Sequence, residues 1–241
     1  MKRMPVACQT YTWQMLGEKW TGSFTELIGT VSRAGYDGIE TTTRLLNGQL
    51  EEPQTVADAL ARHGLELAAV GLSTDSGFTQ PERRDEDLEQ ARDLLRFLAF
   101  FPGCRLQMGS AQCPAATARA EARRYAVVLY AEIGRMARDA GVRCQVHPNS
   151  AAGSLWRSAE EYEFLLEHLA GSDVALCLDT GHVVRGGQDL QPALKRYAGS
   201  LAHIHLKDVA GDGTWMPLGE GVCDIPAVVR RLCEFGYSGW L

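Results

Sequence analysis

Short apolar runs alternate along this chain with longer segments in which apolar residues recur at helical spacing. The short runs predict β-strands and the longer segments predict amphipathic helices. Strands are predicted at residues 5–10, 38–41, 65–72, 105–109, 142–147, 174–179, 201–207 and 239–241. Helices are predicted near residues 23–34, 53–63, 82–100, 116–140, 157–170, 188–198 and 225–235. A strand–helix unit that recurs about every 30 residues predicts a parallel sheet.

The joints between helices and strands share a glycine. The repeated forms are Ala34-Gly35-Tyr36, Phe235-Gly236-Tyr237, His63-Gly64 and Ala140-Gly141. Each predicts a helix end capped by a left-handed Gly, followed by a strand. Eight strands without an interdomain linker predict one (β/α)8 TIM barrel domain over residues 1–241. The chain ends two or three residues into strand eight without an eighth helix, so we expect a truncated barrel, either a fragment or one that closes unusually.

Composition narrows the class of protein. The 241 residues contain 45% hydrophobic residues, but no apolar run is long enough for a membrane span. No signal peptide is recognisable, so we expect a cytoplasmic protein. The net charge of −6 argues against a nucleic-acid-binding surface. The seven cysteines are odd in number and form no CxxC, which predicts reduced thiols.

Three successive strands end in side chains that can bind a metal: His147, Asp179 and His205. In a barrel of this kind the site lies at the carboxyl ends of the strands. Imidazole and carboxylate suit Mn, Zn, Co or Fe(II) better than Mg or Ca. We therefore predict a divalent metal site formed by these three residues. The alternatives are that Asp179 caps the next helix and that His147 is a hydrogen-bonded strand-end residue.

Further polar residues follow or end the predicted strands. Glu40 and His182 are the predicted proton carriers in catalysis, and His147 is a third candidate if it does not bind the metal. The residues predicted to bind substrate are Gln9, Trp13, Gln107, Asn149, His203 and Lys207. Several alternatives stay open, because Trp13 could instead cover the barrel mouth and His182 or His203 could orient metal ligands. Lys207 could hold a substrate oxygen or phosphate, or pair with Asp208, which is the interpretation we prefer.

Four motifs carry a resemblance to a known family. They are Gly35-Tyr36-Asp37-Gly38-Ile39-Glu40, Leu178-Asp179-Thr180-Gly181-His182, His203-Ile204-His205-Leu206-Lys207-Asp208 and Pro217-Leu218-Gly219-Glu220-Gly221. With them the chain resembles the xylose isomerase-like barrel superfamily of sugar isomerases, epimerases and dehydratases. It is most similar to the branch around inosose dehydratase. The resemblance covers essentially the whole chain.

The resemblance implies one divalent metal held by Glu, Asp, His and Glu on strands five to eight. Asp179 and His205 match the family's Asp and His. If this chain is aligned with the family at Gly141, His147 stands at the position of the usual strand-five Glu. If it is aligned at the His-Pro pair instead, Gln145 stands there; the first alignment is preferred because it needs no gap. The strand-eight Glu would lie just beyond Leu241.

The function expected from this resemblance is a divalent-metal-dependent isomerase, epimerase or dehydratase of a keto-sugar or keto-cyclitol. The reaction would proceed by abstraction of a proton next to a carbonyl group. Among the candidate metals, Mn is favoured over Co, Zn or Fe. Elimination needs one base, whereas the family's isomerases use two Glu residues, so elimination fits this chain better. A non-catalytic sugar-binding or partner-binding paralogue, subunit or fragment is the alternative, and an apurinic-endonuclease-like phosphodiesterase fits less well. The expected partner is a small carbohydrate, with neither nucleic acid nor membrane, and a homo-oligomer is compatible with the sequence.

Overall fold

A computed structural model describes residues 3–46, 48–113 and 118–241 of the chain. Its main sheet has parallel strands in the order β1-β2-β3-β4-β5-β6-β7. These strands are β1 Ala7–Gln9, β2 Gly38–Thr42, β3 Glu66–Leu72, β4 Arg105–Met108, β5 Arg143–Val146, β6 Val174–Asp179 and β7 Leu201–His205. The predicted TIM-barrel fold is confirmed, and each strand falls within one residue of a predicted run. The interpretation of residues 1–241 as one domain stays a prediction.

Helices connect the strands, and the longer helices pack against the outer face of the sheet. They are α1 Tyr11–Met15, α2 Phe24–Arg33, α3 Thr43–Leu46, α4 Pro53–His63, α5 Arg84–Leu98, α6 Arg119–Asp139, α7 Ala159–His168, α8 Thr180–Arg185, α9 Leu190–Tyr197 and α10 Ile225–Glu234. Periodicity did not predict α1, α3 and α8, which are too short for a helical repeat to emerge. The predicted start of the longest helix, at 116–117, lies outside the described residues.

Trp240 and Leu241 lie between the two ends of the seven-stranded sheet. The Ile204 N–H donates to the Trp240 carbonyl at 3.2 Å, and the Ala7 N–H donates to the Leu241 carbonyl at 2.8 Å. The start of the predicted eighth strand therefore bonds to β7 on one side and to β1 on the other. The sheet thus curls so that its first and last strands share one neighbour.

The predicted glycine caps are confirmed. Gly35, Gly64, Gly141 and Gly236 have φ angles of 85°, 66°, 71° and 69°. Side chains with a Cβ rarely adopt this left-handed conformation, so glycine is the residue that ends each helix here at little cost. Three of these caps lead directly into β2, β3 and β5, and the fourth leads into the segment that ends at Leu241.

The two faces of the sheet differ in chemistry because successive side chains alternate across a strand. Ile39, Leu106, Val146, Leu178 and Ile204 are buried with apolar residues of the surrounding helices. The inner face instead carries buried polar side chains, which are Glu40, Gln107, Gln145, Asp179, His203 and His205. Burying such groups costs free energy unless they bond to one another or to a ligand. The barrel interior is therefore the place to look for a site.

A small hairpin follows β7. Strand β8, Asp208–Val209, pairs antiparallel with β9, Trp215–Met216. The sequence patterns did not predict this hairpin. Across the described ranges, no helix is both long and apolar enough to cross a membrane.

Candidate metal and substrate site

Asp179 lies at the centre of a polar cluster at the carboxyl ends of β5, β6 and β7. Its side chain is fully buried, and its Oδ1 accepts a hydrogen bond from the His182 N–H at 2.9 Å, which caps α8. Its Oδ2 accepts no hydrogen bond from any residue that the structure describes. That oxygen nevertheless faces Lys207 Nζ at 3.4 Å and His147 Nε2 at 3.6 Å. Asp179 thus fulfils both sequence-based interpretations: Oδ1 caps helix α8, and Oδ2 faces the predicted metal site.

The three predicted metal ligands converge. His147 Nε2 lies 3.2 Å from His205 Nδ1 and 3.6 Å from Asp179 Oδ2, and the distance from His205 Nδ1 to Asp179 Oδ2 is 3.8 Å. Donor atoms around an ion with bonds of about 2.0–2.2 Å are separated by about 3.0–3.6 Å. The spacing, the two imidazole nitrogens and the orphaned carboxylate oxygen therefore fit a divalent transition-metal ion or zinc.

Glu40 lies behind His205 and is 1% exposed. Its Oε2 is 2.9 Å from His205 Nε2 and 3.1 Å from His203 Nε2. Burial alone would raise the pKa of Glu40, but His205 and His203 outweigh it and hold that pKa well below the usual range. The carboxylate therefore accepts from both rings, and the Nδ1 atom of His205 is the one that faces Asp179 and His147. A carboxylate that orients a metal-binding histidine in this way is a common outer-shell arrangement.

Two buried amides continue the network away from Glu40. Gln107 Nε2 donates to Glu40 Oε1 at 2.8 Å, and Gln145 Nε2 donates to Gln107 Oε1 at 2.7 Å. The Gln145 Oε1 atom at the far end has no partner among the described residues. Because an ionised carboxylate can only accept, Glu40 sets the direction of both amides.

His182 is held by a hydrogen-bond donor, whereas His205 is held by an acceptor. The Ser150 N–H donates to His182 Nδ1 at 3.1 Å, and the Ser150 Oγ lies 2.9 Å from the same atom. Burial lowers the pKa of His182 to about 3, so the ring is neutral. Since Nδ1 accepts a hydrogen bond, the ring proton is on Nε2, which lies 3.9 Å from Asp179 Oδ2. His182 therefore presents an N–H donor to the site and no lone pair.

The electrostatics of His147 and His205 differ. Burial lowers the pKa of His147. Burial also acts to lower the pKa of His205, but Cys177 and Glu40 outweigh it and raise that pKa well above the ordinary value. A metal ion that binds His205 Nδ1 must therefore displace a proton.

The mouth of the site carries cations around one aromatic ring. Lys207 Nζ lies 5.0 Å from the centroid of the Trp215 ring, and the Arg185 guanidinium lies 4.6 Å from it. The ring of His182 meets Trp215 edge-on at 5.0 Å. The preferred Lys207–Asp208 pair is wrong, because Lys207 faces Asp179 while Asp208 accepts backbone N–H bonds.

Three predicted substrate-binding residues, Gln9, Trp13 and Asn149, are occupied by contacts outside the polar cluster. The Gln9 Oε1 accepts from the Tyr11 N–H at 2.7 Å, and the Asn149 Oδ1 accepts from the Ala151 N–H at 3.1 Å. Trp13 is partly buried against the core. Their substrate roles stay predictions.

Sequence reasoning missed four residues that the structure places in or beside the cluster. Cys177 lies two residues before Asp179 on β6, so the two-residue period of a strand could have found it. Gln145 was considered only as an alternative to His147. Ser150 lies in the loop after β5 and Trp215 on the two-residue strand β9. Neither segment is long enough for a periodicity that could have indicated their contacts with His182.

Comparison with known proteins finds one matching family model, sequence relatives and structures with the same fold. The family model described as xylose isomerase-like TIM barrel matches residues 28–241. The chain is 28% identical to an inosose dehydratase of Clostridium beijerinckii, in a match that covers 46% of this chain and 42% of that protein. It is 25% identical to an inosose dehydratase of Klebsiella pneumoniae subsp. pneumoniae, over 91% of this chain and 81% of that protein. The structure of the IolI protein with a bound zinc atom superposes with a TM-score of 0.80, at 17% identity, over 98% of this chain and 87% of that one.

Proposed function

The chain belongs to the xylose isomerase-like TIM barrel family, and we propose that it is a divalent-metal-dependent enzyme that removes water from a keto-cyclitol or keto-sugar. The family and the similarity to inosose dehydratases support a carbohydrate isomerase, epimerase or dehydratase. The choice of dehydration follows the names of those relatives.

One observation carries the proposal: Asp179 Oδ2 is fully buried, accepts no hydrogen bond within the described part of the chain and is surrounded by nitrogen atoms. A buried carboxylate oxygen without a donor costs about 1–3 kcal/mol or more. A native fold retains such a group when it binds something. The two nearest imidazole nitrogens, on His147 and His205, are the ligands that Mn²⁺, Co²⁺, Zn²⁺ and Fe²⁺ accept beside a carboxylate.

The residues that would hold the ion are His147, Asp179 and His205. When bound there, the ion would polarise a substrate carbonyl and acidify the neighbouring C–H group. Glu40 takes a positioning role in this proposal, because its two oxygens already accept bonds from His203, His205 and Gln107. The buried Glu40 therefore fits an orienting group better than the proton carrier that the sequence suggested.

His182 is the group that we assign to the substrate. Its Nε2–H points into the site and is held there by the Ser150 N–H on the opposite ring nitrogen. A neutral imidazole N–H can donate to a substrate oxygen on which negative charge develops. Lys207, 39% exposed and beside Asp179, can hold a second oxygen of the substrate at the mouth. In the overall reaction a proton leaves one carbon and a hydroxide leaves the next, so one water is released.

The test uses the chain stripped with a chelator and reloaded with Mn²⁺, Co²⁺ or Zn²⁺. With an inosose as substrate, we expect a product lighter by one water in mass spectrometry, formed only by the loaded protein. Asp179→Asn keeps the side-chain shape and should weaken metal binding by more than the roughly 10- to 100-fold that outer-shell changes cost. Asp173→Asn is the matched control, since Asp173 lies exposed just before the same strand and pairs with Arg138.

The other outcomes discriminate between functions. A product of unchanged mass that gains deuterium from heavy water would contradict dehydration and support isomerisation or epimerisation. A loaded protein that neither dehydrates nor exchanges any keto-sugar or keto-cyclitol would contradict an enzymatic role and support the binding-protein alternative.

A further inference from the structure

Cys177 lies directly against the proposed metal site without belonging to the three predicted ligands. Its side chain is fully buried on β6. The Cys177 Sγ and one ring nitrogen each of His147 and His205 all lie within 4.8 Å of one another. The same two rings therefore face a thiol as well as the Asp179 carboxylate.

The register of the sheet places this thiol one layer deeper in the barrel than the carboxylate. Asp179 pairs with His205 across β6 and β7, whereas Cys177 pairs with His203. On the other side, Val146 pairs with Leu176, so His147 follows as the neighbour of Cys177. Side chains two residues apart on β6 share the inner face. The two imidazoles are thus bordered by an oxygen donor towards the mouth and by a sulfur donor towards the interior.

Oxygen and sulfur donors select different ions. Carboxylates suit hard ions such as Mn²⁺, whereas thiolates suit zinc and softer ions. The orphaned Asp179 Oδ2 is an independent sign that this pocket takes a cation. A site with both donors beside one imidazole pair can therefore bind the two classes of ion in different ways.

We propose that Cys177 is a selectivity ligand, which thiophilic ions such as Cd²⁺ and Zn²⁺ bind together with His147 and His205, whereas Mn²⁺ binds the same imidazoles with Asp179. The inference rests on the metal site of the proposed function. On binding, the ion replaces the thiol proton, which passes to the buffer. An ion drawn towards sulfur lies farther from Lys207 and the mouth, so zinc and cadmium should support turnover less well than manganese.

The experiment titrates the metal-free full-length chain with Cd²⁺ and, separately, with Mn²⁺. Cadmium bound to a thiolate gives an ultraviolet charge-transfer band, which is independent of activity. We expect the band to saturate near one equivalent in the wild type and to be absent in Cys177→Ser. Cys144→Ser is the matched control, because Cys144 is equally buried but on the outer face of β5. Cd²⁺ affinity should fall in Cys177→Ser by more than the roughly 10- to 100-fold that outer-shell changes cost, with Mn²⁺ affinity nearly unchanged.

Each result has a distinct meaning. Cadmium that binds the wild type without the band, or a band that persists in Cys177→Ser, would overturn the role of Cys177 and leave the proposed function intact. A wild type that binds neither Cd²⁺ nor Mn²⁺ would instead overturn the metal site itself. If Cys177→Ser does not fold, cadmium NMR of the wild type reports directly whether sulfur is a ligand.

Discussion

Replacing Glu40 by glutamine removes one charge from the centre of the network while keeping its shape. The glutamine oxygen must face the His203 and His205 N–H groups, because an amide NH₂ there would meet two donors. Its NH₂ group then faces Gln107, whose amide must turn over, and Gln145 must follow. Turning both amides over costs no hydrogen bond, since Gln145 Oε1 has no partner among the described residues. We therefore expect Glu40→Gln to fold.

The magnitude follows from the two bonds to the histidine rings. Hydrogen bonds to a charged group contribute about 1.5–3 kcal/mol, against about 0.5–1.5 kcal/mol for neutral partners. Two such bonds therefore lose about 2 kcal/mol between them. The part of that loss felt only in the metal-bound state weakens metal affinity, and replacing outer-shell partners of metal-binding histidines weakens it about 10- to 100-fold.

The assay is calorimetric titration of metal-free protein with Mn²⁺ between about pH 6.5 and pH 8.5. At low pH the wild type must first release the proton that Glu40 helps to hold on His205. The deficit of Glu40→Gln should therefore be largest at high pH and narrow as the pH falls. Glu66→Gln, at the exposed start of β3, should bind like the wild type. Equal affinities of Glu40→Gln and wild type at about pH 8.5 would refute the reasoning.

Three further outcomes are expected. Mn²⁺ binding at about pH 7 should release about one proton from His205, measured by calorimetry in buffers of different ionisation enthalpy, and no release would count against Nδ1 as a ligand. Burial would raise the pKa of Asp208, but hydrogen bonds from backbone N–H groups outweigh burial and lower that pKa. The ionised Asp208 carboxylate therefore stabilises the fold above about pH 3.9, and this contribution is lost as the pH falls through the folded-state pKa. Asp208→Asn should therefore lower the free energy of unfolding at neutral pH by about 2–4 kcal/mol, and urea titrations should show a smaller difference in acid. Gly181→Ala would place a Cβ 2.6 Å from the Trp215 ring and should cost about 1–3 kcal/mol in urea unfolding, whereas Gly199→Ala, with no atom within 4 Å, should be nearly neutral.

The barrel could be predicted because its determinants are local and repeated. The glycine caps at Gly35, Gly64 and Gly141 need only a left-handed residue between a helix and a strand. The convergence of His147, Asp179 and His205 could be predicted for a related reason: strands of a parallel sheet end at one edge, so side chains that end successive strands lie close together there.

The pairing of Lys207 could not be predicted, because neighbours in sequence suggested the wrong partner. Asp208 points away from Lys207 and accepts N–H bonds from Val209 and from a loop 11 to 15 residues later, at Gly219, Gly221 and Cys223. A carboxylate saturated by backbone donors has no need of an adjacent cation. Nothing in the sequence indicates that this loop returns to Asp208.

Contacts between residues distant in sequence also explain why two histidines, His182 and His205, take different roles in the site. His182 and His205 both face Asp179, but their far ring nitrogens meet opposite partners: a backbone N–H from Ser150 in one case and the Glu40 carboxylate in the other. A donor at the far nitrogen leaves His182 with an N–H to give. An acceptor at the far nitrogen leaves His205 with a nitrogen from which a metal can displace a proton. The partners lie on the β5 loop and on β2, so only the folded chain determines which histidine can bind a metal and which can donate a hydrogen bond.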